Sequence, residues 1–178
     1  MSRVTDLQIR LMDAGDSFEK LTELLHRAYA SLGAMGFNYT AVDQSVATTR
    51  ERVAHGECYL GLVADQIVGT LVLGPVGEGH VGCEWYSRPG IWIIGQFGVD
   101  PGLSGQGIGS QMLEFAERRA CGLGAIETAV DTAEGAEHLL KLYSRRGYRQ
   151  VGHVQWQGKN YRSVVLSKAL GGSGARHL

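Results

Sequence analysis

One stretch limits this chain more than any other. Ile91 to Val99 is an apolar run that stops at Pro101-Gly102 and continues through Gly105-Gln106-Gly107-Ile108-Gly109 into a new pattern. The run is rich in isoleucine and reads as a long strand. From Gly105 to Cys121 the apolar residues fall at 108, 112, 115, 116 and 120, a helical period. A strand that turns through glycines into a helix presents that helix's N-terminus at the end of a sheet. Such an end carries unpaired N–H groups and about half a positive charge. An anion such as a pyrophosphate placed there accepts several N–H bonds. Glycines let the backbone approach it with no Cβ between, and Ser104 and Ser110 add hydroxyl donors.

The rest of the chain alternates between the two periods. Leu7 to Met12 reads as a strand. A helix follows from Phe18 to Leu32, capped by Asp16 or Ser17 and ended by Gly33 and Gly36. A shorter helix starts at Asp43 or Ser45 and closes at Gly56. Glu57 to Ala64 and Ile67 to Val76 read as a hairpin around Asp65-Gln66. Gly77 to Gly90 is a long glycine-rich loop. Ala125 to Val130 is a strand, Glu134 to Arg146 a helix, and Tyr148 to Trp156 and Tyr161 to Ser167 the last two strands. This mixture of hairpins and helical crossovers predicts an α/β chain with a mixed sheet and helices on both of its faces.

The 178 residues fit a single domain over 1–170, with 171–178 a flexible Gly/Ser-rich tail. A net charge of −1 gives no electrostatic case for nucleic acid or a membrane surface as partner. Three cysteines, Cys58, Cys83 and Cys121, do not make a disulfide framework, and no CxxC or HExxH pair supports a metal. Met1 to Arg10 lacks the apolar core of a signal peptide, and no apolar run reaches membrane-spanning length. The cytoplasm is the expected location.

Two rival phosphate motifs fail at the glycine turn. An NTPase loop needs a lysine that Gln106-Gly107-Ile108 does not supply. The dinucleotide pattern Gly-x-Gly-x-x-Gly fails because Ser110 replaces its last glycine. That pattern does occur at Gly77 to Gly82, but the residues after it do not read as a helix. The run Phe97-Gly98-Val99-Asp100-Pro101 followed by Gly105 to Leu113 resembles motif A of the GCN5-related N-acetyltransferase (GNAT) family. In its signature, Arg/Gln-x-x-Gly-x-Gly/Ala, Ser104, Gly107 and Gly109 hold the corresponding positions. Leu142-Tyr143-Ser144-Arg145-Arg146-Gly147-Tyr148 resembles the family's Leu-Tyr-x-x-x-Gly-Phe/Tyr segment. The likeness in element order runs from Leu7 to Lys168. Two departures stand out: Ser104 replaces a long-chain donor, and Ala136 stands where an asparagine is usual.

The resemblance implies a mostly antiparallel sheet splayed at a bulge, and an enzyme that transfers an acetyl group from acetyl-CoA to a primary amine. It implies that Phe97, Gly98 and Val99 pair with the pantetheine arm, where Gly98 has no side chain to block it. Ser104, Gly105, Gln106, Gly107, Ile108, Gly109 and Ser110 then hold the pyrophosphate, mainly by backbone N–H groups. Tyr143 lies near the sulfur and protonates the departing thiolate. An amine of pKa ~10.4 is neutral in only about one molecule in 2,500 at pH 7, so a base is needed. The central strand has no carboxylate; Gln96 is its only polar side chain. Glu84 in the long loop is the first candidate base, ahead of His80, Glu127, Asp131 and His138. Trp85, Tyr86 and Trp92, with Phe37 and Tyr39, are candidates for an acceptor pocket or for edge-of-core packing. A small-molecule amine is the expected partner, and a homodimer is left open. A non-catalytic acyl-CoA-binding module is the alternative that the missing strand carboxylate keeps open.

Overall fold

The computed structural model describes residues 6–75 and 82–171. Its strands are β1 (Gln8–Leu11), β2 (Glu57–Val63), β3 (Gln66–Pro75), β4 (Ile91–Val99), β5 (Glu127–Ala133), β6 (Arg149–Val154) and β7 (Ser163–Ala169). Its helices are α1 (Phe18–Ala34), α2 (Thr40–Asp43), α3 (Val46–Val53), α4 (Ile108–Gly122) and α5 (Glu137–Arg145). The seven strands form one sheet in the order β1-β2-β3-β4-β5-β7-β6. The pairs β1/β2, β2/β3, β5/β7 and β6/β7 are antiparallel, and β4/β5 is parallel. The chain packs as two compact units. One comprises Met1–Leu73 and Gly95–Phe115, the other Gly74–Ile94 and Ala116–Leu178. Both β4 and α4 run from one unit into the other.

In the first unit, α1 starts where Ser17 accepts a hydrogen bond from the Lys20 amide at 3.2 Å. Leu21, Leu24 and Leu25 recur at helical spacing and are fully buried. Leu21 and Leu25 pack with Cys58 and Leu60 of β2 and Val72 of β3. The two faces of β4 carry different helices. A Cβ on Gly98 would stand 2.9 Å from Ala28 Cβ of α1. Phe97 and Val99 instead approach Gly109 at the start of α4. Helices therefore cover both faces here, as the sequence pattern predicts.

The β2–β3 turn lies one residue earlier than the sequence suggests. Ala64 and Asp65 occupy it with φ of 48° and 60°, and Val63 pairs with Gln66. Two left-handed residues in a two-residue loop match the twist of a hairpin, and Asp65 tolerates that conformation better than Gln66 would. The single turn of α2 was not foreseen; its apolar content is too short to show a period.

In the second unit, Cys83, Tyr86, Ile91, Ile93, Ala129, Val154 and Val165 form one apolar cluster. Two ion pairs also belong to this unit: Arg149 Nη2 meets Glu127 Oε1 at 2.9 Å, and Lys168 Nζ meets Glu117 Oε2 at 2.7 Å.

Near β1, Arg10 clasps Asp16 through two bonds of 2.7 Å, and the Asp13 amide donates to Asp16 at 2.8 Å. The Arg10 hydrogen bond outweighs partial burial and holds the Asp16 carboxyl below its ordinary value. A depressed carboxyl contributes stability above its unfolded pKa of ~3.9, and that contribution is lost as pH falls through the folded value. Asp16→Asn is therefore expected to lower stability at pH 7 by roughly 1 kcal/mol. Urea unfolding of both proteins across the acid range checks this: the gap between them should close below about pH 4. A gap independent of pH would contradict it.

Candidate functional site

The strand-to-helix turn is built by Asp100. Its amide donates to the Val68 carbonyl of β3 at 2.8 Å, which ends β4 in register with the sheet. Its Oδ1 accepts from the Gly102 amide at 2.9 Å, and Arg27 Nη2 from α1 meets its Oδ2 at 3.1 Å. A 3-10 turn, Pro101–Leu103, follows. Gly105 and Gly107 then take φ of 76° and 80°, which a side chain would resist. The Gln111 amide bonds the Gly107 carbonyl at 3.1 Å, so amides before Gln111 have no intrahelical acceptor. Below the turn, Ile108 and Met112 are buried, and Met112 fills the space left by Gly61 and Gly69. The result is a cradle of backbone N–H groups whose shape depends on two left-handed glycines. Such a helix head can accept an anion, and Ser104 stands exposed at its rim. The helix itself starts at Ile108 rather than Gly105, because the two glycine conformations are not helical.

Upstream of the cradle, β4 breaks. It pairs with β5 only from Ile91 to Ile93, and Gln96 sits at φ +47°. A left-handed residue inside a strand interrupts its regular geometry and changes which way the following residues face. Beyond it, the Asp100 amide points to β3, so the preceding Val99 amide turns to the opposite edge. The Phe97 carbonyl accepts a 2.9 Å bond from the Tyr29 hydroxyl of α1. The missing side chain of Gly98 makes room for Ala28 and Tyr29 of α1, and the left-handed residue of β4 is Gln96.

The second unit carries the titratable candidates. Tyr143 on α5 is 8% exposed, and its ring packs edge-on against Tyr148 at 5.6 Å. Tyr148 is held in turn: its hydroxyl lies 3.1 Å from Thr128 Oγ1 and 3.0 Å from Glu117 Oε1. Burial, only partly offset by the Thr128 bond, pushes the Tyr148 hydroxyl well above its ordinary value. Ala136 caps α5 without a side-chain acceptor, and the helix begins at Glu137 rather than Glu134. Glu84 is exposed at the start of the 3-10 turn Trp85–Ser87. Asp131 accepts from Tyr86 hydroxyl at 2.9 Å and from Trp156 Nε1 at 2.8 Å, so each of its oxygens already has a donor. Burial raises Glu127, but its bonds to Arg149 and Ser167 win and leave it below the ordinary carboxylate range. Glu127 is thereby a poor proton acceptor. His138 is exposed on α5, and His80 lies outside the described residues, as do Gly77 to Val81 of the Gly-x-Gly-x-x-Gly run.

The aromatic candidates divide. Tyr86 is fully buried and stacks on Trp156 at 6.2 Å, so it is core rather than pocket wall. Trp85 lies under two guanidinium groups, Arg88 at 4.2 Å and Arg149 at 5.5 Å. Phe37 and Tyr39 form a cluster with Tyr29 in the first unit. Sequence reasoning missed Arg27, Tyr29 and Gln44. Their partners lie 73, 68 and 52 positions away along the chain, and no local pattern announces them.

The profile described as the acetyltransferase (GNAT) family matches residues 18–148. The S-(2-succino)cysteine N-acetyltransferase of Bacillus subtilis strain 168 is 28% identical over 154 residues, 85% of this chain and 90% of that protein. A GNAT family acetyltransferase from Elizabethkingia anophelis, solved with acetyl-CoA bound, is 20% identical with a TM-score of 0.67. The match covers 93% of this chain and 99% of that one. An acetyltransferase of Bacillus subtilis in complex with CoA is 23% identical with a TM-score of 0.66, at the same coverage. The structural likenesses bear on the fold. Among the described residues, no helix is long and apolar enough to cross a membrane.

The paired donors on Asp131 give it a structural role. Asp131→Ala should leave the Tyr86 and Trp156 donors without their acceptor and lower stability by roughly 2–4 kcal/mol. Denaturant unfolding checks this. A loss under about 1 kcal/mol would show that the carboxylate is not holding the cluster.

Proposed function

The chain belongs to the acetyltransferase (GNAT) family and is an acetyl-CoA-dependent acetyltransferase; on that premise we propose that its acceptor is the primary amine of a small molecule, attacked directly while both substrates are bound. The observation that supports the donor half of this reading most is the cradle at Gly105 and Gly107, with its uncommitted amides at the head of α4. The acceptor half is supported by the relative that acts on S-(2-succino)cysteine, a small amino-acid derivative. The near-neutral net charge, −1, also favours a small molecule over a highly charged polymer.

In this reading Ser104, Gly105, Gln106, Gly107, Ile108, Gly109 and Ser110 hold the pyrophosphate, chiefly through main-chain N–H groups. The segment Phe97 to Val99 offers strand-edge groups to the pantetheine arm, with Tyr29 sharing the Phe97 carbonyl. Acetyl-CoA supplies a thioester, whose carbonyl carbon forms the new C–N bond as the C–S bond breaks. The chain's own residues manage two protons. One leaves the amine; Glu84 is the proposed acceptor, through water, since Asp131 and Glu127 are committed to other donors. The other reaches the departing sulfur from the Tyr143 hydroxyl. Tyrosine at pKa ~10 and a thiol at ~8.5 make that transfer uphill by about 2 kcal/mol, so the tyrosine must be held in place to help. Packing against Tyr148 holds it.

Tyr143→Phe keeps the ring contact and removes the proton. It is expected to lower kcat by about 100-fold while leaving CoA affinity unchanged. Thiol release with an amine panel, paired with calorimetric CoA binding, reads both quantities, and Glu84→Gln enters the same assay. An unchanged kcat in Tyr143→Phe would remove the tyrosine from the reaction.

A further inference from the structure

A buried polar chain in the first unit takes no part in the chemistry above. Thr22 and Thr49 bring their hydroxyls to 2.7 Å. Gln44 Nε2 donates to Thr49 Oγ1 at 2.7 Å and to Gln96 Oε1 at 3.0 Å. Arg52 Nη1 donates to Gln44 Oε1 at 2.7 Å, and the Gln44 carbonyl lies 2.8 Å from His26 Nε2. Thr22, Gln44, Thr49 and Gln96 are all at least nine-tenths buried.

The direction of the bonds that run from Arg52 through Gln44 to Gln96 is fixed from the charged end. A guanidinium has donors and no acceptor, so the Gln44 atom that faces Arg52 is its oxygen. Gln44 then turns its nitrogen toward Thr49 and Gln96, and Gln96 answers with its oxygen. Flipping either amide would set donor against donor. Both Gln44 N–H groups are used. Gln96 Nε2 is what remains: a side-chain donor shut from water with no hydrogen-bond partner. A buried donor left unmade costs more than a typical hydrogen bond gains, so a native fold retains one only for a reason. Gln96 also takes φ +47°, a second cost at the same residue.

We propose that Gln96 Nε2 reads the acceptor: it donates to a carboxylate oxygen of the amine substrate, an inference that rests on the amine-acetylation reading above. The sign follows from the chain. From Arg52 through Gln44 to Gln96, each amide turns its oxygen back toward the preceding donor, so the dipoles align and their positive end emerges at Gln96 Nε2. A donor polarised in this way gains most from an anionic oxygen. None of the groups that bond this chain is a carboxylate that could take the position first. Gln44, which follows the single turn of α2, occupies the oxygen side of the Gln96 amide and leaves its nitrogen side to a ligand. Gln96 moves no proton in this role; it selects.

The test separates binding from turnover. S-carboxymethylcysteine and S-methylcysteamine, the latter with the amine and thioether but no carboxylate, are titrated by calorimetry into the protein with CoA present. Wild type should prefer the carboxylated amine by about tenfold or more. Gln96→Met, near in volume but without the donor, should abolish most of that preference and leave S-methylcysteamine affinity within about twofold. Arg52→Met, which removes the polarising cation, should fall between. If Gln96→Met does not fold, the Gln96 side-chain amide resonances of wild type carry the test. They should shift with S-carboxymethylcysteine and not with S-methylcysteamine. No carboxylate preference in wild type, an undiminished preference in Gln96→Met, or an unmoved Gln96 resonance overturns the proposal. Wild type that binds with the expected preference yet releases no thiol with any amine upholds Gln96 and refutes the acetylation reading instead.

Discussion

A non-glycine residue at φ +47° in the middle of a strand costs roughly 1–3 kcal/mol, and the fold keeps Gln96 there. The rest of β4 depends on that break. Before it, Ile91 and Ile93 pack into the cluster around Tyr86 and pair in parallel with β5. After it, Gly98 lies against α1 while Phe97 and Val99 face the start of α4. An unbroken strand would keep one face and one partner along its whole length. The break at Gln96 instead lets the residues after it face differently from those before it, and leaves the edge at Val99 turned from β3. It also delivers the chain to Asp100, which fixes the turn into the glycine cradle through Val68, Gly102 and Arg27.

Much of this was legible in the order of residues, and the reasons differ by feature. The strand, the glycine turn and α4 show because each imposes its own spacing on apolar residues and glycines over many positions. Gly105 and Gly107 do adopt the backbone that only glycine takes easily. Gly98 is ambiguous in the sequence: a glycine next to a ligand-binding edge and a glycine under a helix look alike there. Here Ala28 occupies the space a side chain would need. For Tyr86 the sequence leaves a pocket wall and edge-of-core packing both open; its hydroxyl finds Asp131 and its ring goes to the core.

What sequence could not give is the long-range polar pairing. Gln96 stood out as the one polar side chain in an apolar strand, but nothing local tied it to Gln44 or to Arg52. Those contacts form because α1 and the α2–α3 segment fold over β4, which brings distant residues to one buried line. The same holds for Arg27 on Asp100 and Tyr29 on Phe97. In each case a side chain from α1 steadies a main-chain feature of β4 or its turn. The helix and the strand thus define the donor edge jointly, although only the strand carries the recognisable motif.

The central claim is that one continuous backbone path, from the broken half of β4 through the Gly105–Ser110 cradle, holds the donor. Amide hydrogen exchange with and without acetyl-CoA tests it most directly, because it reads those N–H groups one by one. Protection should rise at Val99 and at the amides from Gly105 to Ser110, with little change in α3 or β6. Tight binding of acetyl-CoA that leaves those amides exchanging as before would contradict the account.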